Sequence, residues 1–271
     1  MEFAARIAPE IDRLVLAVNT ISGSESGRTL DELASALGIG DHELLKHYAE
    51  FLLAGRLTPE LAVRRVPYQP RERVERDIAT WHRLGLVEDS DGLLGARPRL
   101  VPLLEAVLAG RTAVATRLWS ANDFLPAALD LAGKAAGRLG GQFVLARAHQ
   151  DLPAPRDRHL RLHHQLTSLR YARSQAHAEA WRAAGLVRAE ILALTASWHG
   201  RPAADTATVE RLIERGLAFE DGALTVAGMR LRQEIEDATN HATAPAFETL
   251  DDDERENLIV SLAMLPGEPI H

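Results

Sequence analysis

The chain has 271 residues, of which 46% are hydrophobic and 25% charged, and it contains no cysteine. This length predicts about two domains, each able to bury its own core. The lack of cysteine excludes disulfides, thiolate catalysis, zinc fingers and iron–sulfur clusters, and the net charge of −7 excludes a polycation built as a whole for nucleic acid.

The beginning of the chain predicts two helices with a break between them. The apolar spacing favours a first helix from Pro9 to Thr20, and the segment 22–27, rich in serine and glycine, predicts a flexible break. Thr29 and Glu32 form a capping box for a helix that ends at Gly38. Neither a signal peptide nor an apolar stretch long enough to span a membrane is found, so a cytoplasmic protein is expected.

The next segment has the order of a winged helix. Thr58 caps a short helix that ends at Arg65, and two prolines predict a turn before a helix from Arg71 to Leu84. Gly85 ends that helix, and the Asp-Gly pair at 91–92 predicts a tight hairpin. A helix, a turn and a second helix form a helix-turn-helix, whose second helix can enter the major groove of DNA.

This helix-turn-helix is locally basic. Residues 64–83 contain six arginines against three carboxylates, a net charge of +3. Contacts to phosphates and bases are therefore expected from these side chains; a solubilising surface with glutamate partners is the alternative. The predicted DNA-binding residues are Arg64, Arg65, Arg71, Arg73, Arg76, His82, Arg83 and Arg97.

A second, weaker copy of the pattern lies near the C-terminus. A helix from Leu186 to Trp198 and a helix from Thr206 to Arg215 are followed by another Asp-Gly turn. The seven residues 199–205 between them cannot hold a further helix and its turn, and the charges of the second helix cancel. This copy is interpreted as a winged-helix remnant used for packing or for a homodimer.

One long helix, from Asp157 to Ala184, is predicted between the two copies. A helical wheel places histidine, arginine and tryptophan side chains on one face, away from its leucine and alanine face. Such a face could line a cleft in which arginine pairs with an anion and tryptophan stacks on a ring; a solvated face is the alternative. The predicted ligand-binding residues are His163, Arg170, Tyr171, Arg173, His177 and Trp181.

Metal and cofactor signals are weak. His159 and His163 have the i, i+4 spacing of a metal pair, but neither a third ligand nor a metalloprotease glutamate accompanies them. The acidic run at 251–254 fits a helix start, where carboxylates complement the macrodipole. No cofactor and no metal are predicted.

The stretch from Ser168 to Leu186, with Leu-Arg-Tyr, a later Arg-x-Gln-x-His-like run and Ala-Ala-Gly-Leu, resembles a SalK-like family of helical, winged-helix-containing proteins from GC-rich Gram-positive bacteria. Gln175 stands where that family has aspartate. The segment 58–97 is similar to MarR-type winged-helix regulators. These resemblances imply a helical winged-helix fold and leave the activity open.

Together these patterns predict a mostly α fold, with two winged-helix-like lobes that carry small β-hairpin wings and flank a helical middle region. The expected domains are 1–110, 111–185 and 186–271. The expected function is a ligand-responsive transcriptional regulator that binds duplex DNA and a small aromatic or anionic ligand, without a membrane partner. The alternatives are a drug-sequestering protein that uses winged helices as a scaffold and, less favoured, an enzyme with His177 or His163 as general base.

Overall fold

The computed structural model describes residues 2–201 and 205–267. Fifteen elements follow one another in this part of the chain: α1 Glu2–Ala36, α2 Glu43–Leu53, α3 Pro59–Arg65, α4 Arg71–Arg83, β1 Val87–Ser90, β2 Leu93–Ala96, α5 Val101–Trp119, α6 Leu125–Gly137, α7 Val144–Gln150, α8 Arg158–Ala183, α9 Arg188–Trp198, α10 Thr206–Glu214, α11 Val226–Thr243, a 3-10 turn Ala244–Phe247 and α12 Asp252–Ala263. The prediction of a mostly α fold with a small hairpin wing is confirmed.

The first lobe, residues 43–96, is a winged helix. The Thr58 side chain accepts a hydrogen bond from the backbone of Leu61 at 3.0 Å and so begins α3 where the sequence predicts. Strands β1 and β2 pair antiparallel, and Leu57 bridges to Leu94 beside them. Gly85 adopts a φ of +66°, a conformation that glycine takes without steric cost, and lets the chain turn from α4 into the wing.

Helix α1 corrects the first prediction, because it runs unbroken for 35 residues through the segment 22–27. The hydroxyl of Ser22 donates to the carbonyl of Asn19 inside the helix. Helix α5 packs closely against this segment: a Cβ placed on Gly110 would lie 2.6 Å from Oγ of Ser26. The small residues therefore serve a close approach of two helices, and tertiary packing overrides their local preference for a break.

The second lobe, residues 178–235, packs the end of α8 with α9, α10 and α11 around one small core. The backbone of Leu186 donates to the carbonyl of Trp181 at 3.0 Å, the kind of contact that also ends α4 between Leu86 and Trp81. The interpretation of this lobe as a winged-helix remnant stays a prediction. Of the predicted connection 199–205, residues 202–204 lie outside the described residues.

Helix α8 passes through two hydrophobic cores. Tyr171 and Ala172 are buried in the larger core, which gathers side chains from the N-terminal half and from the last helix. Trp181 is buried in a smaller core with Leu194 and Ile235. The division into the domains 1–110, 111–185 and 186–271 stays a prediction. Within the described residues, no helix is long and apolar enough to cross a membrane.

Candidate functional site

Two arginines on the outward face of α4 are open to a partner. Arg76 and Arg83 are exposed and lie seven residues apart, which places them two turns apart on one face. Arg83 donates to the hydroxyl of Thr80 at 3.0 Å. Among the described residues, neither arginine has a carboxylate oxygen within 4.0 Å. Their charges are therefore available to an anionic surface, and His82 is exposed beside them.

Most of the other predicted DNA-binding arginines are neutralised within the lobe. Arg71 pairs with Glu60 at 3.0 Å and with Glu75 at 3.3 Å. Arg73 pairs with Asp41 at 2.7 Å. Two more ion pairs complete the set, at 3.1 and 3.6 Å: Arg64–Glu60 and Arg97–Glu88. On α4, the arginines that keep their charge free of a described carboxylate partner are therefore Arg76 and Arg83, although residues 43–96 as a whole carry eight basic and nine acidic side chains.

Arg65 points away from the outward face. Its guanidinium lies 4.4 Å from the centre of the Tyr171 ring and is 3.3 Å from Nδ1 of His47. A cation over an aromatic face is attracted by the ring quadrupole. The structure therefore does not bring Arg65 together with Arg76 and Arg83, although the sequence places it in the same basic segment.

The predicted ligand face of α8 divides into a buried part and an open part. His163, Tyr171 and Trp181 are at most 5% exposed and lie in the two cores. Arg170, Arg173 and His177, by contrast, line a cavity of about 730 Å³ between α1, α8, α9 and α11. This volume lies within the range of about 300–1,000 Å³ that is usual for small-molecule sites.

The charged groups of this cavity neutralise one another. Arg173 donates at 2.6 Å to Glu236 and at 2.6 Å to the side-chain oxygen of Asn240. Arg232 pairs with the same Glu236. Burial alone would raise the pKa of Glu236, but the two arginines hold it below its usual value. The pKa of His177 is lowered to about 4, mainly by burial. The nearby Glu236 carboxylate acts in the opposite direction, whereas Arg232 and Arg173 lower the pKa further. At neutral pH the carboxylate is therefore charged and the imidazole neutral.

Tyr68 connects this cavity to the first lobe. It lies in the turn between α3 and α4, and its hydroxyl is 2.9 Å from Nδ1 of His177. Arg188 of α9 donates to the carbonyl of Tyr68. Trp198, 39% exposed at the end of α9, also lines the cavity. The sequence favours Trp181 for the aromatic contact and gives no sign of Trp198, because both lie in the last turn of a helix and only tertiary packing distinguishes them.

A buried polar cluster lies under the first lobe. His149 Nε2 is 2.5 Å from Glu50, and His149 Nδ1 is 2.7 Å from the hydroxyl of Ser168. Arg111 approaches Glu50 at 3.8 Å. Desolvation would raise the pKa of Glu50, but His149, His164 and Arg111 hold it well below its usual value. Burial lowers the pKa of His149 to about 4, with Glu50 opposing it. A charged Glu50 thus faces a neutral His149.

This cluster has the composition of a metal site or of a Ser-His-Glu triad, but the geometry favours neither. Glu50, His149 and His164 offer ligand atoms within 4.8 Å of one another. However, the two imidazoles stack at 4.0 Å with an interplanar angle of 25°, and a nitrogen of each already faces the same Glu50 oxygen, at 2.5 Å for His149 and 3.6 Å for His164. His149 and Ser168 are 0% exposed, so a substrate cannot reach the hydroxyl. The cluster is a structural network.

The comparisons with known proteins give one family. Residues 96–266 match the model of a helix-turn-helix family, which covers well over half of the chain. No curated protein and no solved structure matches the chain. The matched range begins at the end of β2, so it includes α9 and α10 but neither α3 nor α4. The finer SalK-like and MarR-type resemblances stay predictions. On the matched residues, the chain belongs to a helix-turn-helix family.

Proposed function

We propose that the protein is a transcriptional regulator that binds duplex DNA through the first lobe, with α4 in the major groove. The observation that carries this proposal is the pair of arginines without carboxylate partners, Arg76 and Arg83, on the outward face of a winged helix. The second helix of a helix-turn-helix reads base edges in the major groove, and arginine binds phosphates and guanine edges. His82 and the β1–β2 wing flank this surface.

The test is the salt dependence of DNA binding. Duplexes are selected from a random library by the purified protein, and fluorescence anisotropy then measures the affinity for a selected duplex at several salt concentrations. Removing one phosphate-binding cation reduces the slope of log K against log salt by about 0.9. Arg76→Ala with Arg83→Ala is therefore expected to reduce the slope by about 2. The matched control is Arg156→Ala with Arg158→Ala, two exposed arginines before and at the start of α8.

A third variant decides which lobe binds DNA. Arg211 is exposed on α10, within the matched range, and donates to Thr208 at 2.7 Å. Our proposal expects Arg211→Ala to retain the slope of the unmodified protein. If only Arg211→Ala reduces the slope, the second lobe binds DNA and the assignment to α4 is wrong. Equal slopes for all variants would contradict both assignments.

We further propose that a small ligand in the cavity of Arg173, His177 and Trp198 alters DNA binding. Tyr68 supports this coupling, because its hydroxyl contacts His177 and only residues 69–70 separate it from the start of α4. If the turn has one conformation that favours DNA binding and another that disfavours it, a ligand changes the DNA affinity by as much as its own affinity differs between these two conformations. A panel of small aromatic compounds should change the fluorescence of the protein, and Trp198→Phe should remove that change. No change with any compound would contradict the proposal.

The ion pairs of Arg71 and Arg73 on α4 support the second candidate, a ligand-sequestering protein whose winged helices are scaffold. This candidate predicts that the protein selects no duplex from the library but still shows the fluorescence response to a ligand.

We also propose a homodimer through the second lobe, where Phe219, Val226 and Met229 are 45–77% exposed. Light scattering should give a dimeric mass that Val226→Asp converts to a monomeric one; a monomeric mass for the unmodified protein would contradict this. A cytoplasmic location follows only from binding to the chromosome and stays part of the proposal.

A further inference from the structure

A second cavity, of about 420 Å³, lies between α1, α2, α5 and α8 and is lined by four basic side chains. They come from four different helices or their ends, far apart in the sequence: Lys46, Arg65, Arg111 and Arg170. Such a convergence of cations in a concave site concentrates positive potential where a small anion could bind.

Three of these four cations have a carboxylate partner and one does not. The ion pairs, at 2.6, 3.8 and 2.8 Å, are Lys46–Glu43, Arg111–Glu50 and Arg170–Asp12. Arg65 has no carboxylate oxygen within 4.0 Å among residues 2–201 and 205–267. Its Nε is buried and donates to no acceptor there. Arg65 is therefore the one cation of this cavity whose charge no described carboxylate neutralises.

His47 responds to the same excess of positive charge. Its pKa is lowered to about 3 by desolvation and then by Arg65, Arg111, Lys46 and Arg170. Part of the residue is exposed at the open side of the cavity, while Nδ1 of the ring lies 3.3 Å from the guanidinium of Arg65. Because all four cations lower this pKa, the electrostatic potential at the imidazole is positive. The ring stays neutral at physiological pH and adds no charge of its own.

The rest of the wall indicates what the anion is attached to. Leu16, Leu30 and Val107 offer an apolar surface, and Oδ1 of Asn19 is buried without a donor. A single uncompensated charge is neutralised by a monoanion, whereas a phosphate dianion would leave the cavity negative. Guanidinium groups bind carboxylates in a planar, two-point geometry.

We propose that this cavity binds a small organic monocarboxylate, with the carboxylate on Arg65 and the hydrocarbon body against Leu16, Leu30 and Val107. Nothing in this site overlaps the DNA-contacting face of α4, and carboxylate binding does not depend on the proposed function. Arg65 is nevertheless the last residue of α3. An occupant would therefore hold the first helix of the helix-turn-helix against the body of the protein.

The test is calorimetric titration without DNA, at fixed ionic strength. The probes are butanoate, hexanoate, octanoate, benzoate and phenylacetate, the matching neutral amides, and inorganic phosphate. At least one carboxylate is expected to bind, and its amide is expected to bind at least about 10-fold more weakly, because it cannot form a hydrogen bond between two charged groups. If no carboxylate binds at millimolar concentration, or if amides or phosphate bind equally well, the proposal is wrong.

Variants locate the site. Arg65→Gln should weaken carboxylate binding by about 10- to 150-fold, while Arg64→Gln, whose side chain faces outward to Glu60, should bind as the unmodified protein does. Arg65→Lys keeps the charge and checks that any weakening is not due to misfolding, with circular dichroism measured for each variant. An unchanged affinity in Arg65→Gln, or an equally weakened one in Arg64→Gln, would overturn the assignment.

Discussion

His163 is a buried imidazole without a hydrogen-bond partner, and its replacement by leucine is expected to stabilise the protein. The side chain is 1% exposed, and neither ring nitrogen has a partner among the described residues. Burial, and then the charge of Arg111, lower its pKa to about 3. A ligand-binding histidine would face a cavity, whereas this one lies in the core.

The expected magnitude has two parts. At pH 7 the change His163→Leu removes a buried unsatisfied polar group, which is worth about 1–3 kcal/mol. Below pH 6.5 the unfolded chain takes up a proton on the imidazole, while the folded chain does not until about pH 3. Stability is therefore greatest above pH 6.5 and falls as the pH is lowered, by about 1.4 kcal/mol per pH unit for this group. At pH 5 the variant should gain about 2 kcal/mol more than at pH 7.

Urea denaturation at pH 7, 6 and 5, followed by circular dichroism, measures these free energies. The control is His241→Leu, because His241 is exposed and should leave the pH dependence unchanged. A His163→Leu protein that is less stable than the unmodified one at pH 7, or that loses stability with acid just as steeply, would refute the reasoning. It would show that the imidazole has a partner or a charge that its surroundings do not predict.

Other substitutions test packing and the buried charge. Gly228→Ala should destabilise the second lobe by about 1–3 kcal/mol or more, because a Cβ there collides with the carbonyl oxygen of Leu217. Limited proteolysis should then cleave this lobe faster than in the unmodified protein. The control is Gly23→Ala, where the space is open and the change should be neutral or stabilising by about 0.5–1 kcal/mol. Glu50→Gln leaves Arg111 buried without its counter-charge and should cost about 3–5 kcal/mol in urea denaturation, whereas adding Arg111→Met should recover most of that stability; a double variant no better than the single one would contradict an electrostatic cause.

The first lobe could be predicted from the sequence because its signals are local. Thr58 at the helix start, Pro70 before α4 and the Asp-Gly pair at 91–92 each act through the backbone of their own neighbours. The break predicted at 22–27 failed for the opposite reason. There the deciding contact is with Gly110, which is remote in the sequence and lets α5 approach closely.

The candidate sites were harder to predict, because side-chain direction depends on partners that sequence spacing does not reveal. Arg65 and Arg64 are neighbours, yet one stacks on Tyr171 and the other pairs with Glu60. The wheel of α8 assumes one solvated side, but this helix is covered from several directions, so Trp181 becomes a core residue. Only the middle of the predicted face, around Arg173, reaches a cavity.

The two lobes differ in how the arginines of their helices are paired, and this has a consequence for the operator. A regulator with two identical DNA-binding domains, as in a two-fold symmetric dimer, selects a palindromic operator. Here the two lobes belong to one polypeptide and differ: among the described residues, α4 carries Arg76 and Arg83 free of carboxylates, whereas Arg215 at the end of α10 pairs with Glu190. Because DNA binding is assigned to α4 alone, the proposed dimer through the second lobe would present two identical copies of α4, and the operator is expected to be a palindrome.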